Sequence, residues 1–466
     1  MRFAVKISAA AVAAVVTTSF ASVLHADTLS GALLEAYRKN PTLNAARAGQ
    51  RAVDENVPQA LSGWRPTVSA TGSLSTTDTY ANSGTTGQYS TSAGPQENIT
   101  IRLDQPLFRG FKTVEGTKAA EATVKAGREQ LLSTEQTVLL NTVTSYLDVI
   151  RDRQIVNLRK QNLGILKTQF NATNERFKAG ELTKTDTAQA QAGVASAQAQ
   201  LQLAIANQQT SEASYAQYVG HQPGQLAPAP SARPPGSLEE AYSIAHETNP
   251  NILSAAHSAI AADHNVGVAG AALLPQADLV GTYSFTGNQP TIDTFQGNSQ
   301  PGLTSSSGTI AGQVTVPLYE GGVVYSQVRQ AKQRASQAKI SVIDATRQVR
   351  QAVAASWSTY AAAKQNVQAN AESVSASQVA YEGMRQEYQV GSRSTIDVLT
   401  AEQTLLTAQI AQVTAQHDQV VASYSLQAAI GHLTGDHLKL FPTYDVKENY
   451  QKVRNKLIGT DTNVLQ

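Results

Sequence analysis

The side chains that most often carry out chemistry are either missing from this chain or placed too far apart to cooperate. The sequence contains no cysteine, which excludes a thiolate metal site, a cysteine nucleophile and a disulfide framework. Its 8 histidines are scattered, and only His257 and His264 stand at helical spacing, with no acidic pair beside them. The sequence contains no glycine-rich phosphate loop, nucleophile elbow or paired-carboxylate motif. We therefore predict a protein that is not an enzyme and that has no metal site and no cofactor.

Charge and composition exclude two further classes of protein. The chain has 36 basic and 35 acidic residues, so no basic field is available for binding nucleic acid. Alanine, glutamine, serine and threonine are abundant, while only 2 methionines and 2 tryptophans occur. A large aromatic core is therefore not expected, and thin helical walls fit the composition better.

The N-terminal segment has the layout of a cleavable secretory signal. Arg2 and Lys6 precede an apolar run from Ile7 to Val16, and a short stretch then leads to Ala26. The run is too short to cross about 30 Å of hydrocarbon, so a membrane anchor is the weaker alternative. We expect residues 1–26 to be a signal peptide that is removed on export.

The rest of the chain is a duplication. Asn40-Pro41 returns as Asn249-Pro250, 209 positions later, and Pro106-Leu-Phe-Arg-Gly110 returns as Pro317-Leu-Tyr-Glu-Gly321, at an offset of 211. A repeat of this length exceeds the unit of a solenoid. The sequence therefore predicts two pseudo-symmetric structural repeats and a polar tail, at residues 27–236, 237–438 and 439–466.

Each repeat contains a long window of helix-forming residues without proline. The windows run from Pro106 to Pro223 and from Pro317 to Pro442, and their apolar residues recur with helical spacing. A helix from Lys112 to Phe177 would be about 100 Å long. Helices of that length belong to an elongated object or a coiled coil rather than to a globular domain.

A glycine interrupts each window at the same place in the repeat. Gly180 and Gly391 can each end a helix in the left-handed conformation. Thr185 in the first repeat and Thr395 in the second can cap the helix that follows. Each window therefore predicts a helical hairpin, at about residues 112–220 and 323–431.

Four shorter segments alternate between apolar and polar residues, as strands do. They cover about residues 67–80, 97–107, 276–287 and 308–318, two in each repeat. Each is about 10 residues long, the length of a tilted membrane strand, and a long polar loop joins the members of each pair. A water-exposed hairpin with one buried face shows the same alternation, and for one pair alone it is the favoured interpretation.

The number of strands predicts an oligomer. Four strands are too few to close a barrel, and open strand edges are not tolerated in hydrocarbon. Cyclic association is the usual solution, and three copies would supply 12 strands. The sequence thus predicts a mainly α-helical chain whose four strands form part of a small membrane β-barrel, which a homotrimer would complete.

Together these features resemble the TolC family of outer-membrane efflux proteins. The specific markers are the Asn-Pro openings of both repeats, the Pro-Leu-Phe/Tyr-x-Gly junctions and the segment Tyr388-Gln-Val-Gly-Ser-Arg-Ser-Thr-Ile-Asp397. The resemblance covers about residues 28–438. It implies a homotrimer whose 12-stranded barrel lies in the lipid of the outer membrane and whose helices continue as a tunnel through the periplasm. It also implies a periplasmic adaptor protein and an inner-membrane pump as partners, in a tripartite efflux pump or a type I secretion system.

The resemblance assigns the hairpin turns to a gate at the periplasmic end. Tyr388 and Arg393 match residues that reach across to a neighbouring hairpin, and Thr185 and Asp186 match their partners. Bonds from a phenol or a guanidinium to a carboxylate are charge-assisted, and each is worth about 1 kcal/mol or less at an exposed position. An adaptor that binds only the open state would shift such a gate open.

The resemblance also assigns Asp397, Gly180 and Gly391. Three copies of Asp397 would form an acidic ring that favours cations at the entrance, although Thr400 stands where many relatives carry a second aspartate. Without the resemblance, Asp397 is a carboxylate favoured by a helix N-terminus. Gly180 and Gly391 match the tip that the adaptor contacts, and both are equally suited to be simple helix caps.

An exported coiled-coil adhesin or structural surface protein is the main alternative. It shares the export signal, the length and the helix periodicity. It does not explain two strand pairs placed identically in both repeats. The exported substrate, whether a drug, a metal or a protein, is not encoded in these residues, because the pump selects it.

Overall fold

The computed structural model describes residues 27–83, 88–288, 291–292, 299–300 and 304–461. The predicted signal peptide at residues 1–26 lies outside them. The chain is built mainly of α-helices, with one sheet of four long strands. The predicted combination of a mainly helical chain with four strands is thereby confirmed.

The first repeat runs from short helices through a strand pair to two long helices. Its elements are α1 (Leu29–Lys39), α2 (Pro41–Asp54), α3 (Asn56–Leu61), β1 (Thr67–Ser83), β2 (Gln88–Arg109), α4 (Lys112–Lys178) and α5 (Lys184–Val219). The Asn-Pro pair separates α1 from α2, since the Asn40 side chain accepts the backbone N–H of Thr42 at 2.9 Å. Pro41 then occupies the first helical position, where no N–H partner is needed.

The second repeat follows the same order. Its elements are α6 (Leu238–Thr248), α7 (Pro250–Gly270), β3 (Gln276–Asn288), β4 (Thr291–Ile292), β5 (Ser299–Gln300), β6 (Thr304–Thr315), α8 (Val323–Gln389) and α9 (Thr395–Ile430). Asn249 repeats the role of Asn40, because its side chain accepts the backbone N–H of Asn251 at 2.9 Å. A short helix, α10 (Glu448–Val453), lies in the tail.

The long strands form one antiparallel sheet in the order β1-β2-β3-β6, so the two repeats meet at β2 and β3. The register pairs Ile101 with Tyr283 and pairs Gly281 with both Leu103 and Ile310. Because side chains alternate along a strand, these residues share one face of the sheet. That face is exposed to a degree unusual for apolar side chains, reaching 82% for Ile310. In the described residues of one chain, β1 and β6 each have an unpaired outer edge.

The strands differ in length from those predicted. Strand β2 begins at Gln88 rather than near residue 97, because Ser83 still pairs with Gln88. Part of the stretch expected as a loop therefore continues the strand pair as far as Ser83 and Gln88, and the threonines in it have a high strand propensity. Strand β6 ends at Thr315 rather than near residue 318, because its partner β3 begins at Gln276 and Pro317 has no N–H to donate.

The sheet passes into the long helices through tight junctions. Gly110 has a φ of +58°, and a Cβ there would lie 2.5 Å from the carbonyl oxygen of Ala271 and 2.8 Å from Cβ of Leu274. Only glycine fits, because the backbone of the first repeat lies directly against the second. The next residue, Phe111, also has a positive φ, of +66°, and α4 starts immediately after it.

The long helices pack in pairs, α4 against α5 and α8 against α9. Helices α4 and α8 each contain 67 residues, which makes each about 100 Å long. Helix α7 packs against both α4 and α8, and α4 also packs against α9. We call this contact between α4 and α9 the inter-repeat seam. Among the described residues, no helix is both long enough and apolar enough to span a membrane.

The largest hydrophobic core lies where α1, α4 and α5 meet the segment between the repeats and the tail. Tyr146 and Tyr215 are fully buried there, and the Tyr146 hydroxyl donates to the carbonyl of Ala227 at 2.6 Å. The tail crosses the first repeat and is held by polar contacts. Asn449 donates to the Asp54 carboxylate at 2.9 Å, and Arg454 donates to Glu121 at 3.1 Å.

Candidate functional site

The polar residues singled out in the sequence lie at the ends of the hairpins that are farthest from the sheet. We call residues 176–186, from the end of α4 to the first turn of α5, the first tip. We call residues 387–397, from the end of α8 to the first turn of α9, the second tip. Because α4 and α8 begin beside the sheet, both tips lie about 100 Å from it.

The two tips share one backbone conformation. Gly180 and Gly391 have φ values of +82° and +81°, as a helix end in the left-handed conformation requires. At the first tip, the N–H of Glu181 donates to the carbonyl of Arg176 at 2.9 Å, and Ser392 makes the equivalent bond to Glu387 at 3.0 Å. These bonds satisfy carbonyl groups that the helix end leaves without partners. Space is open around both glycines.

The helix caps at the tips differ from those predicted. Thr183 and Ser394 cap α5 and α9, not Thr185 and Thr395. Each is followed three residues later by an aspartate, and the pair forms a reciprocal capping box. The Thr183 N–H and hydroxyl donate to Oδ2 of Asp186 at 2.9 and 2.7 Å.

In each capping box, the aspartate accepts the hydrogen bonds of the cap residue on one of its two carboxylate oxygens. The Ser394 N–H and hydroxyl donate to Oδ2 of Asp397 at 3.0 and 2.7 Å, as Thr183 does for Asp186. The hydroxyl hydrogen bond, followed by that of the backbone, lowers the pKa of both aspartates. Among the described residues, no hydrogen bond reaches Oδ1 of either carboxylate. Both groups are therefore ionised with one oxygen available to a further donor.

Tyr388 contacts the first repeat, although not the residues matched to it. Its hydroxyl oxygen accepts a hydrogen bond from Nη1 of Arg176 at 3.0 Å, and the guanidinium lies 5.4 Å from the centre of its ring. Arg176 also donates from Nε to Glu181 at 3.0 Å. Thr395 Oγ1 lies 3.5 Å from the same hydroxyl.

Arg393 is engaged within its own tip. Its Nε donates to Glu387 at 2.7 Å, while its two terminal nitrogens make no hydrogen bond among the described residues. Within that part of one chain, neither Tyr388 nor Arg393 bonds to Thr185 or Asp186. The structure thus brings Tyr388 to the first hairpin through Arg176 and leaves Arg393 on its own side.

Two residues at the tips, Arg176 and Glu387, were not singled out in the sequence. One signal was available, because the repeat offset of 211 aligns Arg176 with Glu387 and reverses the sign of the charge. Each ion pair spans its turn, and the order of the two charges along the chain is reversed between the tips. Arg176 precedes its glycine and Glu181 follows it, whereas Glu387 precedes and Arg393 follows.

Comparison with known proteins follows the duplication. The sequence profile of the family described as "Outer membrane efflux protein" matches residues 32–221 and, separately, residues 241–432. Each match covers one structural repeat, from its short helices to the end of its hairpin. The predicted location in the outer membrane is confirmed by this family.

Individual relatives and a solved structure agree with that match. The chain is 39% identical to the outer membrane efflux protein BepC of Brucella suis biovar 1 (strain 1330), over 94% of this chain and 92% of the relative. It is 24% identical to the outer membrane protein TolC of Escherichia coli (strain K12), over 90% of this chain and 85% of the relative. The fold is similar to that of the Campylobacter jejuni CmeC outer membrane channel, with a TM-score of 0.76, 19% identity and coverage of 92% of this chain and 89% of that one. The resemblance to the TolC family is therefore confirmed, and the chain belongs to the outer membrane efflux protein family.

Proposed function

We propose that this protein is the exit duct of a tripartite efflux pump or a type I secretion system. Three copies assemble around one axis, and their sheets close into a 12-stranded barrel in the outer membrane. Their hairpins continue as a helical tunnel through the periplasm. The tips form a gate at the periplasmic end, where an adaptor protein and an inner-membrane pump dock. The duct itself carries out no catalysis.

The observation that carries this proposal is the unfinished state of the sheet in one chain. Its outer edges on β1 and β6 are unpaired among the described residues. Its apolar face is open, with Val68 69% and Ile310 82% exposed. Leaving apolar surface in water costs about 25 cal/mol per Å², and an unpaired edge in lipid costs several kcal/mol per backbone group. A closed barrel in a bilayer removes both costs, which neither a fibre nor an adhesin does.

The tips have the groups that a gate between subunits requires. Within the described part of one chain, Oδ1 of Asp186 and Oδ1 of Asp397 remain available as acceptors, while the terminal nitrogens of Arg393 remain available as donors. A guanidinium that already holds Glu387 can bind a second carboxylate from a neighbouring subunit. In the proposed trimer each of these weak bonds occurs three times. Together they hold the gate closed, while each one remains easy to break.

The tips also offer an accessible surface for the adaptor. Val390 beside Gly391 is 80% exposed, and apart from the adjacent residues no atom of the described residues lies within 4 Å of where a Cβ of either turn glycine would stand. A partner can therefore reach both backbone and apolar groups there. Binding that favours the open arrangement shifts the gate by its difference in affinity for the two states.

Two measurements on the purified protein test this proposal. We expect particles extracted in detergent to be trimeric tubes with a barrel at one end, and the same material to form discrete ion-conducting pores in planar bilayers. A long rod without a barrel, or trimers that never conduct in any variant of the tips, would overturn it. Copurification of an adaptor and a pump would then identify the exported substrate.

A further inference from the structure

We propose that Arg176 positions Tyr388 and thereby holds the second hairpin of each subunit against its first. The inference rests on the proposed gate, because Tyr388 is one of its residues. It adds a contact within a subunit to the contacts between subunits. Arg176 lies on α4, 212 positions before Tyr388 on α8.

The guanidinium of Arg176 is used in two directions. Its Nε donates to Glu181 in the first tip at 3.0 Å, and its Nη1 donates to the Tyr388 hydroxyl at 3.0 Å. Because the guanidinium is planar and rigid, holding one edge on Glu181 fixes the direction of the other. Its position 5.4 Å from the centre of the ring adds an attraction to the aromatic face. Arg176 therefore connects the first tip to the second hairpin.

This contact also determines what the Tyr388 hydroxyl can do next. The phenolic oxygen accepts from Arg176, and Thr395 Oγ1 lies 3.5 Å away. Its own O–H has no acceptor among the described residues, so it is free to donate to a carboxylate of another subunit. A donor whose oxygen already accepts a charged hydrogen bond is polarised and donates more strongly. Arg176 thus orients the Tyr388 hydroxyl and makes it a stronger hydrogen-bond donor.

The duplication shows that this arrangement belongs to one repeat only. The position equivalent to Arg176 in the second repeat holds Glu387, which binds Arg393 within its own tip. Phe177, which matches Tyr388 in the repeat, has no hydroxyl. An accidental surface ion pair would need only Arg176 and Glu181. The additional bond to Tyr388 is what joins the two hairpins.

A double-mutant cycle on the conducting trimer tests the coupling. We expect Arg176→Gln and Tyr388→Phe each to raise the open probability, by about two- to fivefold if one exposed bond is lost. The double variant should rise no further than Tyr388→Phe alone, because that variant already removes the hydroxyl through which Arg176 acts. Arg176→Lys should restore part of the closure, since its ammonium reaches one partner but not two. Independent, multiplying effects would overturn the proposal.

Distances between spin labels separate positioning from gating. The native chain has no cysteine, so Lys178→Cys and Gln389→Cys, at equivalent positions of the two tips, can be labelled alone. Labelled subunits are diluted with unlabelled ones to isolate distances within a subunit. We expect Arg176→Gln to broaden this distance, while Arg159→Gln, whose contact with Gln200 stays within the first hairpin, leaves it narrow.

The two readouts make the outcomes distinguishable. A distance that stays narrow in Arg176→Gln overturns the positioning role, whatever the conductance does. A distance that broadens while no tip variant changes conductance supports positioning and rejects the gate. Glu181→Gln serves as a further control, because it removes the ion pair and leaves the bond to Tyr388, so it should broaden the distance less than Arg176→Gln does.

Discussion

Asn162 on α4 donates a hydrogen bond to Glu402 on α9, with 2.8 Å between Nδ2 and Oε1. The bond crosses the inter-repeat seam and joins residues 240 positions apart. Glu402 is only 5% exposed. Burial raises its pKa to about 7, and the hydrogen bond from Asn162 opposes this only in part. One carboxylate with a single amide partner thus lies in the contact between the two repeats.

The buried carboxylate makes the stability of the seam depend on pH. Because the pKa of Glu402 is raised from 4.5 to about 7 in the folded chain, folding favours its protonated form. Its contribution is fully present below the pKa of the unfolded chain and is lost as the pH rises through 7. Between about pH 5 and 8, we expect the unfolding free energy of the wild type to fall by up to about 3 kcal/mol more than that of Glu402→Gln. The measurement is the melting temperature, which should fall more over this range in the wild type than in the variant.

A matched control isolates this effect. Glu247→Gln changes an exposed glutamate on α6 and should keep the pH dependence of the wild type. Tyr381 and Arg385 of α8 also face this region and remain in every variant. Parallel melting curves for Glu402→Gln and the wild type across this range would contradict the assignment.

The second prediction concerns Arg393, whose terminal nitrogens are free within the described part of one chain. Removing the guanidinium in Arg393→Ser deletes the proposed contact between subunits and leaves Glu387 at the solvent-exposed tip. We expect higher single-channel conductance in bilayers, with an increase that is larger still in combination with Tyr388→Phe. Arg347→Ser, which changes an exposed arginine of α8 far from the tip, should conduct like the wild type. Unchanged conductance in the double variant would remove both residues from the gate.

The third prediction concerns ion preference at the entrance. Asp397→Asn keeps an oxygen that can accept from Ser394, so the cap of α9 survives while the charge is lost. We expect the ratio of cation to anion permeability to fall by about twofold or more. The measurement is the reversal potential in a salt gradient, with Asp263→Asn on α7 as the control. An unaltered reversal potential would place Asp397 outside the conducting path.

The fourth prediction tests the lipid-facing side of the sheet. Ile310 lies on its apolar face, and Thr309, next to it on β6, points to the opposite face. Ile310→Lys should cost about 2–4 kcal/mol of insertion free energy if the residue lies near the middle of the bilayer. Thr309→Lys should be tolerated. The fraction of trimer recovered from outer membranes measures both, and equal recovery of the two variants would contradict the predicted orientation.

Local patterns were enough to predict most of the architecture. The proline-free windows and the turn glycines identify the hairpins, because helix ends at Gly180 and Gly391 depend on residues within one turn. The capping residues were also encoded locally, in Thr183-x-x-Asp186 and Ser394-x-x-Asp397. Thr185 and Thr395 were predicted as caps instead, on their residue type alone. The true caps are marked by an aspartate three residues later.

Contacts between the repeats could not be predicted from such patterns. The bond between Arg176 and Tyr388 depends on how two helices of about 100 Å lie side by side at their far ends. A small change in crossing angle near the sheet would separate these side chains completely. The residue type and spacing of Glu402 do not distinguish it from the exposed polar residues of its helix, and it is buried because α4 lies against it.

The two unpaired strand edges have a genetic consequence. In the proposed trimer, each subunit pairs with a neighbour at both edges of its sheet, so one damaged copy leaves two of the three junctions between subunits open. If a cell makes equal amounts of an intact and a damaged chain that associate at random, about seven in eight trimers contain at least one damaged copy. Variants of β1 or β6 that still associate should therefore be dominant over the wild-type allele. Variants that cannot associate at all should be recessive.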